Sequence, residues 1–197
     1  FSAADRIFDI LDIEPVIKNS LNAKPIGIIK GNVEFKNVTF SYDDETEVLK
    51  NVSFKVSKGE KIALVGATGA GKSTIVSLLS RFYDPTKGKI LVDGKDIKNV
   101  DLESLRSQMG IMLQDTFLFS ESIMENIRYG RLDATDEEVI NAAKAVNAHK
   151  FIMELEKGYD TEVNERGSRL SLGQRQLISF ARALLANPRI LILDEAT

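Results

Sequence analysis

The chain has 197 residues, enough for one ordinary domain with a real core, and carries 26 Lys plus Arg against 29 Asp plus Glu, a formal net charge of −3. Both signs are spread along the chain, which argues against a polyanion binder held by a basic surface, so no nucleic-acid partner is expected. The lack of cysteine excludes disulfides, zinc–thiolate sites and cysteine nucleophiles, and neither a run of about 18 apolar residues nor a signal-peptide pattern is present.

Phe1, Ala4, Ile7, Phe8 and Leu11 recur at helical spacing, so an amphipathic helix is expected to stop before Pro15. Residues 14–31 mix Pro, Gly, Asn and Lys without periodicity and read as a linker. Val33, Phe35, Val38 and Phe40, then Val52, Phe54 and Val56, predict two strands of an antiparallel layer joined by the acidic turn Asp43-Asp44-Glu45. Ile62 to Val65 is a short apolar run ending in Gly66, as a buried parallel strand would be, and Lys72 to Phe82 continues as a helix. Ile90 to Val92 ahead of Asp93-Gly94 predicts a strand entering a tight turn. Asp101 is placed to cap a helix carrying Leu102, Leu105 and Met109, and Ile111 to Leu113 reads as another strand.

From Ser122 to Leu155 the pattern is helical, with Thr135 and Glu138 as a capping box ahead of Val139, Ala142, Ala143 and Val146. A charged loop over residues 158–170 precedes a helix that runs to about Ala186, and Ile190 to Leu193 reads as a buried strand ending in Asp194-Glu195. Because the chain opens on Phe1 and closes on Thr197 directly behind that strand, we read it as a piece of a longer polypeptide. The sum is an α/β fold: a mostly parallel sheet flanked by helices, with an antiparallel β layer and an α-helical subdomain.

The segment Gly66-Ala67-Thr68-Gly69-Ala70-Gly71-Lys72-Ser73-Thr74 matches the phosphate-loop pattern of a P-loop NTPase core. Its glycines allow torsions that turn successive N–H groups toward one anion at a helix N-terminus, where the macrodipole also favours negative charge. Lys72 adds a point charge for the terminal phosphates and Ser73 a hydroxyl for Mg²⁺. The apolar run before Asp194 delivers a carboxylate to the C-terminal end of a strand, where such sheets bind ligands. Asp194 there can hold Mg²⁺ through water, and Glu195 points a second carboxylate toward an attacking water.

Leu170-Ser171-Leu172-Gly173-Gln174 opens the helix just before that strand. With this third motif the chain resembles the nucleotide-binding domain of ATP-binding cassette (ABC) transporters, whose signature reads Leu-Ser-Gly-Gly-Gln, and the likeness covers nearly all of it. Residues 1–15 look like the linker that leads from the last membrane helix of exporters. The resemblance implies ATP hydrolysis, with Mg²⁺, that powers export across a membrane. Tyr42 would stack on adenine, and Gln114 would contact Mg²⁺ and the attacking water. Ser171, Gly173 and Gln174 would reach the ATP of a second nucleotide-binding domain, arranged head to tail as a homo- or heterodimer. Glu165-Arg166-Gly167 would touch the transmembrane domain of the same polypeptide, at the cytoplasmic face of the membrane. The expected division is a linker over 1–31, an ATP-binding core over 32–113 and 187–197, and the helical subdomain over 114–186.

Leu172 stands where the signature has its first glycine and would be strained if that position needs φ > 0. Asn164 stands before Glu165 where the family often has glycine. The family's loop and histidine beyond the catalytic glutamate do not occur up to Thr197, so this piece alone is expected to turn ATP over negligibly. His149, the single histidine, precedes Asp194 and reads as a solvated helix-end residue. The rival readings are a soluble cassette ATPase without transport, against which the acidic balance and the linker speak, and a kinase or GTPase. The signature and the lack of an Asn-Lys-x-Asp guanine motif disfavour the latter.

Overall fold

Val33–Ser41 (β1), Glu47–Val56 (β2), Lys87–Val92 (β3) and Lys95–Asp96 (β4) form an antiparallel sheet in the order β2-β1-β3-β4 in a computed structural model. The structure describes all residues except 1, 44–45, 113–116, 164–169 and 194–197. They fall into two compact units, one of residues 1–27 and 32–105, the other of 28–31 and 106–197.

In the first unit Phe35 lies opposite Phe54 on β2 and Ile90 on β3, and the Phe35 and Phe54 rings stack at 4.6 Å. Strand alternation alone would send Val33 and Phe35 to one face and Val38 and Phe40 to the other, yet all four are buried. A bulge resolves this: the register shifts between Phe35 and Val38, and Asn37 takes φ 49°. The bulge brings β1 backbone against β3, where Gly88 has φ 80° and a Cβ would fall 2.3 Å from the Asn37 carbonyl oxygen. Asp93 and Gly94, at φ 50° and 78°, make the expected tight turn between β3 and β4.

Ser2–Leu11 forms helix α1, and the linker after it is hydrogen-bonded to the first unit up to Ile26. The Asn19 side chain donates to Asp101 Oδ1 at 2.7 Å and accepts from Leu102 N at 2.8 Å. Lys24 bridges Val100, and Ile26 N donates to Ser104 Oγ at 3.0 Å. Asp101 also caps α3 (Leu102–Arg106) as expected; the Ser104 N–H, chief among several donors, holds its carboxyl below the ordinary carboxylate value. The run Ile62 to Val65 is not a strand. It joins no ladder among the described residues, and without one its side chains stay exposed, Val65 to 93%.

The second unit pairs Met109–Met112 (β5) in parallel with Ile190–Leu193 (β6). Met109 therefore opens a strand rather than closing a helix. In β6 the isoleucines are half-buried while Leu191 and Leu193 are exposed, the alternation of a strand covered on one face, so the expected full burial is not found. Helices α4 (Ile123–Arg128), α5 (Asp136–Ala145), α6 (His149–Met153) and α7 (Leu172–Leu185) enclose an apolar core that includes Ile127, Val139, Ile152 and Ile178.

One polar cluster sits within this core. Buried Asn126 accepts from Phe119 N and from Arg182 Nη2, each at 2.9 Å, and Arg182 Nε donates to Asn126 O at 2.7 Å. The same guanidinium lies 5.4 Å from the Phe119 ring; burial lowers its pKa from the usual arginine value. His149 opens α6 as a half-buried rather than a fully solvated residue: its Nδ1 lies 2.9 Å from the hydroxyl of Tyr159, which is buried and needs a partner.

Gly88→Ala is expected to lower unfolding free energy by about 2 kcal/mol or more, because both the torsion and the backbone contact oppose a Cβ. Chemical denaturation checks this, and an unchanged midpoint would show that the bulge is not locked.

Candidate functional site

Helix α2, Lys72–Leu79, begins at the phosphate loop, and its first turn decides what the loop can hold. The first N–H groups of any helix have no intrahelical acceptor. In α4, α5 and α7 a side chain supplies one: Ser122 accepts from Glu125 N, Thr135 from Glu138 N and Ser171 from Gln174 N. At α2 the N-cap is Gly71, with φ 87° and ψ 9°, no side-chain cap and no acidic residue in the first turn. A donor-rich, dipole-positive helix end is thus left for an external anion.

Gly71 also stands close against β2. A Cβ there would lie 2.7 Å from Leu49 Cδ2 and 3.5 Å from the Val48 carbonyl oxygen, so β2 walls the loop. Gly69 takes φ 83°, and Ala70 N donates to Ala67 O at 3.1 Å, which turns the loop back on itself. Lys72 Nζ donates to the carbonyl oxygens of Gly66 at 2.9 Å and Ala67 at 3.1 Å, placing its charge over the loop. Ser73 is exposed and Thr74 buried.

Tyr42 follows β1 and reaches this helix: its hydroxyl lies 3.1 Å from Thr74 Oγ1. The structure therefore brings Tyr42 together with Gly66, Gly69, Gly71, Lys72, Ser73 and Thr74 in the first unit. Arg81 and Tyr83, which the sequence did not single out, hold the segment behind Tyr42. Neither carries a motif; only spatial neighbourhood reveals them.

The signature lies in the second unit. Ser171 caps α7 in a full capping box, its Oγ accepting from Gln174 N at 3.2 Å and its N–H donating to Gln174 Oε1 at 2.9 Å. Leu172 is the first helical residue, is 57% exposed and is not among the residues with positive φ, so the feared strain is absent. At Gly173 a Cβ would meet no heavy atom within 4 Å, so nothing among the described residues demands glycine. Met112 pairs with Leu193, so β5 and β6 end side by side. Gln114, Asp194, Glu195 and the Asn164–Gly167 loop themselves lie outside the described residues. A cleft of about 340 Å³ lined by Ile111, Phe117, Tyr129 and Arg182 belongs to the second unit and contains none of the phosphate loop.

Known proteins agree with this geometry. A family model described as ABC transporter matches residues 49–197. The chain is 57% identical over 196 residues to the Bacillus subtilis (strain 168) "Uncharacterized ABC transporter ATP-binding protein YknV", covering 100% of this chain and 32% of that protein. It is 54% identical over 197 residues to the "Putative multidrug export ATP-binding/permease protein YgaD" of the same strain, covering 34% of it. A solved "bacterial Atm1-family ABC exporter with ATP bound" matches with a TM-score of 0.93 at 46% identity, over 98% of this chain and 34% of that one. The chain thus spans about a third of the length of the curated relatives it matches.

Because Leu172 occupies an ordinary helical position, Leu172→Gly is expected to destabilise the second unit by up to about 1 kcal/mol in thermal or chemical unfolding. A gain in stability would mean that leucine is strained there.

Proposed function

The chain belongs to the ABC transporter family, and on that premise we propose that it is the ATPase domain of an exporter, binding and hydrolysing ATP to drive a substrate across a membrane. The observation that carries this is the first turn of α2, with its left-handed glycine cap, no side-chain acceptor and Lys72 folded over the loop.

In this reading the N–H groups from Gly71 to Thr74 at the start of α2 take the phosphates, Lys72 neutralises their terminal charge, and Tyr42 offers its ring to adenine. Ser73, exposed in the first unit, offers a hard oxygen of the kind Mg²⁺ takes, and on this proposal Gln114 and Asp194 would supply two more. When bound, the ion would neutralise charge on the phosphate oxygens. Glu195 accepts the proton of the attacking water, whose oxygen forms the new bond to the γ-phosphorus as the bond to ADP breaks.

The charge of the transition state spreads over the γ-phosphate oxygens, and Ser171, Gly173 and Gln174 of a second copy, set head to tail, complete its stabilisation. Gly173 supports this: none of the described residues occupies the space beside it, which leaves room for a close approach from outside. Binding closes the pair and hydrolysis opens it, and membrane domains joined through residues 1–31 follow that population shift. The names of the relatives, "multidrug export ATP-binding/permease" among them, support a transmembrane domain in the same polypeptide and a place at the cytoplasmic face of the membrane. Residues 32–113 and 187–197 then form the ATP-binding core and 114–186 the helical subdomain.

In the full-length protein, Lys72→Ala is expected to abolish measurable ATP binding. Glu195→Gln should preserve binding and lower turnover by about 10²-fold or more. Steady-state ATPase rates and nucleotide binding, with and without chelation of Mg²⁺, measure both. Turnover unchanged in Glu195→Gln would remove the glutamate from the role of base, and full binding by Lys72→Ala would remove the loop from the role of phosphate cradle.

A further inference from the structure

The Tyr42 ring is held on several sides. Its hydroxyl meets Thr74 Oγ1 at 3.1 Å, on the helix that begins at the phosphate loop. Phe40 stands perpendicular to it with centroids 4.9 Å apart at 85°, and Tyr83 does so at 5.1 Å and 90°. Phe40 and Tyr83 are 5.5 Å apart, which closes a triangle of rings. Phe40 belongs to the buried core, whereas Tyr83 is 43% exposed and Tyr42 is 53% exposed. Tyr83 is thus the surface partner of a ring that must present one face to a ligand.

The segment that carries Tyr83 is tied down at both ends. On one side Arg81 is buried with φ 52°, donating Nε to Asp84 Oδ1 at 3.1 Å, Nη1 to Val100 O at 3.2 Å and Nη2 to Lys18 O at 3.2 Å. On the other side Thr86 N donates to Thr39 O at 2.9 Å, and Ser41 N to Thr86 Oγ1 at 3.4 Å. These ties end on β1 one to three residues before Tyr42, so both rings are referred to the same strand. A terminal aromatic torsion is soft by itself, and edge-to-face contact is what restrains it.

We propose that Tyr83 is a positioning residue for purine recognition: it holds the Tyr42 ring in the plane on which the base stacks and acts on the nucleotide only through Tyr42. This rests on the reading of Tyr42 as the base platform. Tyr83 needs its ring for this and not its hydroxyl, and the phosphate loop does not depend on it.

The test is equilibrium binding of a non-hydrolysable ATP analogue and of inorganic triphosphate to the full-length protein carrying Tyr83→Leu, Tyr83→Phe, Tyr42→Ala, or Tyr42→Ala with Tyr83→Leu. Tyr83→Leu is expected to weaken the ATP analogue about threefold to tenfold and leave triphosphate unchanged, with Tyr83→Phe restoring the original affinity. In the Tyr42→Ala background Tyr83→Leu should have no further effect. Unchanged ATP-analogue affinity in Tyr83→Leu, beside a loss in Tyr42→Ala, overturns the inference and leaves the base platform standing. A loss in Tyr42→Ala that Tyr83→Leu deepens by its full factor shows that Tyr83 touches the base itself, and equal losses for the analogue and triphosphate place its effect on the loop. Either result overturns the positioning role. No loss in Tyr42→Ala removes the base platform and the inference with it.

Discussion

The unmet N–H groups at the start of α2 are the constraint on which the rest of this chain depends. A helix end without a side-chain acceptor costs free energy unless something else satisfies it. The chain knows how to satisfy one, since Ser122, Thr135 and Ser171 cap their helices with their own oxygens. At α2 it places Gly71 instead, in a torsion that L side chains avoid and close against Leu49 of β2. The antiparallel sheet is therefore part of the site: β2 forms the wall, β1 delivers Tyr42, and the Asn37 bulge keeps both faces of β1 in register with its neighbours.

The same economy governs the signature. Ser171 and Gln174 are bound to one another at the start of α7, so that helix is complete within the chain. Leu172 is exposed and no described residue occupies the space beside Gly173, as the proposed contact with the ATP of another copy requires. Behind it, Asn126 and Arg182 fasten α4, α7 and the strand-following segment at Phe117 to Phe119 through hydrogen bonds that an apolar core could not aim. The first unit uses Arg81 in a similar way, one buried guanidinium tying Asp84, Val100 and the linker at Lys18 together.

Features carried by local chemistry were legible in the sequence. The helix that opens at Lys72 behind Gly71, the capping box at Thr135, the cap at Asp101 and the turn at Asp93-Gly94 each depend on residues a few positions apart, and each is found. Features set by partners distant in sequence were not. Ile62 to Val65 has the composition of a buried strand, but a strand exists only where a ladder forms. The linker reads as shapeless because its order comes from Asp101, Ser104 and Arg81 rather than from its own periodicity. His149 looked solvated because Tyr159, ten positions on, gives no sign in sequence that its hydroxyl turns back. Leu172 looked hazardous only while a glycine-like torsion was assumed for it.

The central claim is that the phosphate loop of one copy meets the signature of another across a shared ATP. These 197 residues carry no cysteine, so once any cysteine elsewhere in the full-length protein is replaced by serine an introduced pair reports on it directly. In the full-length protein, Thr68→Cys on one copy and Leu172→Cys on the other, both exposed positions, should form an intermolecular disulfide under mild oxidation when ATP is bound, and far less of it without nucleotide. A disulfide confined to a single copy, or one whose yield ignores ATP, would contradict the account.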